Sequence, residues 1–181
     1  MFSKLLKDFK KYDEARENVI LTSRDIIKIS KKIISSCHNN KIEDTEKFKK
    51  EIEAEIKKIR EFNNINSSGS YTIAIQEYIE AILFLEFVKT GNILEYSEKL
   101  CSPDEYILGL CDFVGELQRR AVLEIANNNE EEIKKIYSKV REIYDSLLDF
   151  NTRGEVRKKM DSVKYIMIKM EDIMMQLKLK K

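Results

Sequence analysis

The sequence predicts an all-α protein, an antiparallel bundle of about six to seven helices. Three observations carry that expectation. The 181 residues include one Pro and five Gly, so few positions favour sharp turns. Apolar residues recur at spacings of three and four along most of the chain, the period of a helix with one buried face. Nothing reads as a strand, and no internal repeat is present. Long helices with apolar stripes bury those stripes against one another, which gives a bundle. A chain of this length reads as one domain over residues 1–181, able to bury a core of ordinary size.

The first helix is predicted from about Ser3 to Cys37, with Tyr12, Val19, Ile26 and Ile33 a heptad apart and Ile29 filling in. His38-Asn39-Asn40 ends it. A second runs from about Thr45 to Phe62 on Phe48, Ile52, Ile56 and Ile59, and Asn63 to Ser70 reads as polar loop. The third covers roughly Ser70 to Thr90, with Gly91 placed as its C-terminal cap. The fourth has the clearest start, because Ser102-Pro103-Asp104-Glu105 joins a capping box to a Pro at the first helical position; it runs to Asn127-Asn128-Asn129. A fifth spans about Glu130 to Phe150. A sixth spans about Gly154 to Lys178 on Val156, Met160, Val163, Met167, Met170 and Met174. This last helix keeps Met and Ile on several faces, and an exposed apolar face there would suit a subunit interface.

Composition narrows the function classes. The longest uncharged apolar run, AILFL, is far too short to span a bilayer, so a soluble, cytoplasmic protein with no membrane partner is expected. Cys37, Cys101 and Cys111 are odd in number and lack CxxC spacing, which argues against a disulfide framework and a zinc site. His38 is the single histidine and lies in polar surroundings, so His-rich metal sites are excluded and it reads as surface filler. No Gly-rich phosphate loop or nucleophile elbow is present. Net charge is +1 but uneven: residues 1–60 carry 16 basic and 11 acidic side chains, residues 71–126 carry 4 and 10, and residues 151–181 carry 9 and 4. Basic flanks could hold a polyanion and the acidic centre a cation.

Two acidic pairs stand out. On the third helix Ile73, Glu77, Glu80, Phe84 and Phe87 fall on one stripe, so two carboxylates share an apolar seam. On the fourth, Asp112 and Glu116 are four apart on one face. Glu77, Glu80 and Asp112 have no basic residue within four positions, whereas Glu116 can pair with Arg119 or Arg120. Other acids have partners in the favourable order: Glu53 with Lys57, Glu130 with Lys134, Glu131 with Lys135. Three readings stay open for the unpaired acids: a bound metal, a partner cation from another helix, or exposure. A carboxylate-only site would suit Mg²⁺ or Mn²⁺. If the two helices pack, the four carboxylates are expected to converge.

At these residues the sequence resembles the translin/Trax group of nucleic-acid-binding proteins and RNases. Tyr12-Asp-Glu through Leu21-Thr-Ser-Arg-Asp-Ile26, Ser30-Lys-Lys, IQEYIEAILFLEFVKTG, DEYILGLCDFVGELQRRAV and IYDSLLDF are similar to that family's segments in the same order. In Trax-type chains a Glu-x-x-Glu after Gln and an Asp-x-x-x-Glu are implicated in Mg²⁺-dependent endoribonuclease activity, and they fall here on Glu77, Glu80, Asp112 and Glu116. The resemblance therefore implies the catalytic branch, with those four as metal-holding catalytic residues. It also implies a translin-like subunit in a hollow, octamer-like homo-oligomer that encloses RNA. The chain lacks the extended basic N-terminus of eukaryotic Trax, which argues against a nuclear address.

The expected activity is Mg²⁺-dependent cleavage of single-stranded RNA by water, leaving a 3'-hydroxyl and a 5'-phosphate. The alternative is a non-catalytic protein that binds single-stranded RNA or single-stranded DNA. Arg24, Lys31, Lys32 and Arg119 are the expected phosphate contacts. A third class, a helical adaptor, leaves the aligned acids without a role. Gly115, between the acids of the fourth helix, would let a phosphate or a neighbouring backbone come close. Removing the charge of Asp112 is expected to leave metal-free stability unchanged or raised, by relieving repulsion among the acids.

Overall fold

Six helices follow in the expected order in the computed structural model, which describes residues 2–62 and 69–179: α1 (Ser3–His38), α2 (Ile42–Arg60), α3 (Gly69–Thr90), α4 (Pro103–Ala126), α5 (Glu130–Leu147) and α6 (Gly154–Leu179). Among the described residues there is no strand, and no helix is long and apolar enough to cross a membrane. Most of the expected loop at 63–70 lies outside the described residues, as do the last two lysines. Packing divides the chain into two compact units, Met1–Leu85 and Glu86–Lys181.

In the first unit α1 and α2 pack along each other. Val19, Ile26, Ile33 and Cys37 of α1 and Ile52 and Ile59 of α2 are fully buried, each such aliphatic side chain contributing roughly 1.5–3 kcal/mol. Ile75, Ile79, Leu83 and Phe84 of α3 are fully buried too. The turn between α1 and α2 explains where α1 stops: Asn40 takes a left-handed φ of 55°, which Asn tolerates, and the Lys41 amide donates to the Ser36 carbonyl at 2.9 Å. α2 begins three residues before the expected Thr45, because Glu43 and Asp44 suit a helix N-terminus and the buried Thr45 hydroxyl donates to the Ile42 carbonyl. The heptad of α1 overstates its core: Tyr12 is exposed, and the first buried residue is Val19.

In the second unit α4, α5 and α6 pack pairwise on one another. The capping box of α4 is formed, with the Glu105 amide donating to Ser102 Oγ at 3.3 Å and the Ser102 amide to Glu105 Oε2 at 2.9 Å. Asn128, at φ 55°, turns the chain out of α4, and Asn129 Oδ1 accepts the Glu132 amide at the start of α5. Gly91 ends α3 as expected, at φ +79° with its amide donating to the Phe87 carbonyl at 2.8 Å. An added Cβ there would sit 2.9 Å from Cε of Lys135, whose ammonium lies 5.1 Å from the Phe87 ring centre. α5 stops at Leu147 rather than Phe150; Leu148 and Phe150 continue the apolar pattern but are exposed.

Candidate functional site

The α3 acids sit on a gradient of burial. Ile73 at the start of the stripe is exposed, Glu77 is half-buried, Glu80 is buried, and Phe84 is fully buried. The stripe is thus core from Phe84 through Glu80 and opens only at Glu77 and Ile73. The His38 ring lies 4.7 Å from that of Phe84, so the only histidine is the packed last residue of α1 rather than surface filler.

On α4 the second pair lies one turn apart, with side chains 25% exposed for Asp112 and 19% for Glu116. The open question of partners resolves differently for each. Asp112 Oδ1 stands 2.6 Å from Nζ of Lys159, one helix away on α6. Glu116 pairs with Arg119 at 3.5 Å. Arg120 instead turns inward to Glu132 of α5 at 3.3 Å and Glu124 at 3.9 Å, and Asn129 donates to Glu124 as well. A Cβ built on Gly115 meets no described atom within 4 Å, so no packed backbone fills the helix surface there, about 60° around the axis from Asp112.

The donor chemistry of the α4 pair fits a hard cation. Mg²⁺ keeps several waters and takes one or two carboxylates, and two partly exposed carboxylates near open space meet that need. Among the described residues, no three His, Cys, Asp or Glu side chains form a group that could enclose a metal. Cysteine chemistry is a poor alternative, because all three thiols are buried. Burial, with the neighbouring Asp112 carboxylate, pushes the Cys111 thiol up to about 12, so it stays protonated and non-nucleophilic at neutral pH.

The expected phosphate contacts divide between the units. Lys31 and Lys32 line a cleft of about 380 Å³ between α1 and α2, together with Lys28, Lys41, Asp44 and Phe48. Lys32 Nζ lies 5.2 Å from the Phe48 ring centre, a cation-π contact that holds one wall. Arg24 is exposed one turn before Lys28 on the same helix. Lys28 and Lys41 were missing from the sequence reading; the signal for Lys28 was its spacing of four from both Arg24 and Lys32. Arg119 is exposed on α4, in the second unit, and engaged with Glu116.

Comparison with known proteins agrees with the all-helical fold. An uncharacterized protein of Methanocaldococcus jannaschii is 28% identical over 77% of this chain and 64% of its own length. The Translin-associated protein X homolog of Schizosaccharomyces pombe is 31% identical over 62% of this chain and 57% of its own. The chain thus spans a little under two thirds of these relatives. A solved structure described as an AfC3PO–duplex RNA complex superposes with a TM-score of 0.90 at 21% identity, covering 99% of this chain and 97% of that one, which shows the same fold. The Translin family matches residues 14–181, nearly the whole chain, and the chain belongs to that family.

Proposed function

We propose that the chain is a Mg²⁺-dependent endoribonuclease that binds single-stranded RNA within a homo-oligomeric shell. The observation that carries this reading is the Asp112–Glu116 pair, partly exposed on one face of α4 near the open surface at Gly115. Glu77 and Glu80 are the second proposed pair, with Glu77 where the α3 stripe opens and Glu80 buried three residues further in. The family membership and the RNA held by the AfC3PO neighbour support RNA as the substrate class. Names of relatives as translin-associated protein X support the catalytic branch.

Mg²⁺ bound by these carboxylates would offset charge at the scissile phosphate and make a water more acidic. The residues of the chain itself do the rest. Asp112 and Glu116 orient the cation from one helix face, and the small Gly115 leaves room for a phosphate to approach. Arg119 lies 3.5 Å from the Glu116 carboxylate and would compete weakly with the cation for it. The cleft lysines Lys28, Lys31, Lys32 and Lys41 hold other phosphates of the strand, giving affinity without base preference.

A non-catalytic binding protein is the second reading, and one observation favours it: the Lys159 ammonium already neutralises Asp112. Cleavage of a labelled single-stranded RNA, with Mg²⁺ or with EDTA, separates the two. Wild-type cleavage that needs Mg²⁺ and is lost in Asp112→Asn, with RNA binding in EDTA retained, is the expected result. A wild type that binds RNA and never cleaves it leaves the binding reading.

A further inference from the structure

The first three turns of α1 stand exposed. Every residue from Phe2 to Glu14 is exposed, and the family match begins only at residue 14. Yet this arm has the composition of a docking helix. Phe2, Leu5, Leu6, Phe9 and Tyr12 are each 52–65% exposed and recur at helical spacing, forming a stripe about 120° wide. Lys4, Lys7, Lys10 and Lys11 occupy the other faces, with Asp8 as the only acid between residues 2 and 12. Aromatic side chains bury ~150–250 Å² each, so such a stripe offers several hundred Å², the scale of the ~800 Å² each partner gives to a standard interface.

The second unit carries a surface of complementary character. A cavity of about 370 Å³ opens between the segment before α4, α4 itself and the end of α5, lined by Tyr96, Pro103, Tyr106, Ile143, Leu147 and Phe150 among others. Its aromatic wall is fixed: the Tyr96 and Tyr106 rings meet edge to face at 5.6 Å, and the Tyr106 hydroxyl donates to the Leu94 carbonyl. The two polar lining residues are engaged elsewhere, Ser146 with the Glu142 carbonyl and the Glu142 carboxylate with Lys139. A small ligand would find few groups to orient it, whereas an apolar anchor needs none. Exposed Leu94, Leu148 and Phe150 extend the apolar floor outward. The flanking segments 93–106 and 139–150 hold seven acidic and three basic side chains, opposite in sign to the arm.

We infer that the α1 arm of one copy docks, helix in groove, on the cavity of a second copy of this chain. Phe2, Leu5, Leu6 and Phe9 supply the anchors, and the arm lysines face the acidic flanks. Because arm and groove are different surfaces, two copies can exchange arms reciprocally about a two-fold axis or pass them on around a closed ring, and either arrangement places an arm in a groove of another copy. The inference rests on the proposed self-assembly and is independent of catalysis.

The test uses two full-length chains, Asp8→Cys and Ser146→Cys, co-expressed with different tags and treated with a short bis-maleimide; the three native cysteines are buried. A cross-link joining the two tags is expected, cut at least tenfold when Leu5→Glu and Phe9→Glu are added to the arm chain. Phe150→Glu, at an exposed groove position, should reduce it equally while circular dichroism stays unchanged. An assembly that sediments as an oligomer without this cross-link overturns the inference and leaves the self-assembly reading standing. Cross-linking between two Asp8→Cys chains alone would assign the arm to arm-to-arm pairing instead, and arm-dependent binding to anionic vesicles without the cross-link would assign it to a membrane surface; either overturns it. A chain that sediments as a monomer of 21.4 kDa at micromolar concentration removes both readings.

Discussion

Lys159 of α6 holds its ammonium nitrogen 2.6 Å from Oδ1 of Asp112 on α4. A fixed cation therefore stands at the carboxylate that the proposed Mg²⁺ would use, and the two compete for one oxygen. Lys159→Met should tighten Mg²⁺ binding several-fold, measured by calorimetric titration of the folded chain. It should also cost no more than about 1 kcal/mol of metal-free stability, because both side chains are partly exposed and screened. Unchanged Mg²⁺ affinity would mean that Asp112 is not a ligand.

The same contact reverses an expectation about Asp112→Asn. Relief of repulsion among acids predicts equal or higher metal-free stability, but the carboxylate in fact neutralises a lysine. The amide leaves that ammonium without its counter-charge. The melting temperature in EDTA should fall by about 2–4 °C, the shift that ~1 kcal/mol gives at this chain length. A rise would show that repulsion from neighbouring acids outweighs the pair.

What the sequence disclosed follows from the range of each interaction. Local signals were readable: the Ser102–Glu105 capping box, Gly91 as a cap and the Asn stops all act within a few residues, and all formed as expected. Lys134 pairs with Glu130 as the spacing predicts, but Lys135 pairs with Glu132 rather than Glu131. Partners on other helices were invisible, because a spacing rule of four cannot find Lys159 for Asp112 or Glu132 for Arg120. Apolar periodicity also ran past the packing at Tyr12 and Phe150, since a pattern records which residues could be buried and not what covers them.

Arg120 should matter more to stability than any surface pair. Its side chain is 9% exposed and bridges α4 to α5 through Glu132, with Glu124 on its other side. Arg120→Met keeps the bulk but takes the cation from the buried Glu124 and leaves Glu132 with Lys135 alone, a loss on the order of 3–5 kcal/mol. Urea unfolding should show the midpoint falling with little change in slope. A loss below about 1 kcal/mol would mean that water reaches and solvates the network.

Stability should decline at alkaline pH through two acids that the fold keeps neutral. Burial raises Cys111 from an ordinary 9.0 to about 12 and Tyr106 from 10.0 to about 12. Between those limits the unfolded chain has lost protons that the folded chain retains, so stability falls as pH rises. The contribution is intact below pH 9 and is lost on the way to 12, by up to about 1.4 kcal/mol per pH unit for each group. Cys111→Ala should flatten the first part of that decline, above pH 9 and before the tyrosine titrates. Identical slopes for both chains would show that water reaches Cys111.

The α1–α2 cleft gives the most direct test of how the strand is held. Lys28, Lys31, Lys32 and Lys41 face one space with only Asp44 against them, and a phosphate backbone entering it would release bound counterions. For a single strand each phosphate contact adds about 0.7 to the slope of log affinity against log salt. Lys31→Ala combined with Lys41→Ala should therefore lower that slope by about 1.4, two contacts' worth, and weaken binding strongly at low salt and little at high salt. Sequence preference should not change, because the contacts reach no base edge. Lys58→Ala serves as the control, since that lysine belongs to the same unit but is paired with Glu55 at 3.3 Å away from the cleft lining. Binding titrations in EDTA at several salt concentrations keep cleavage out of the measurement. Equal slopes for the double variant and the control would remove the cleft from the RNA path and shift the search to the basic residues of the second unit.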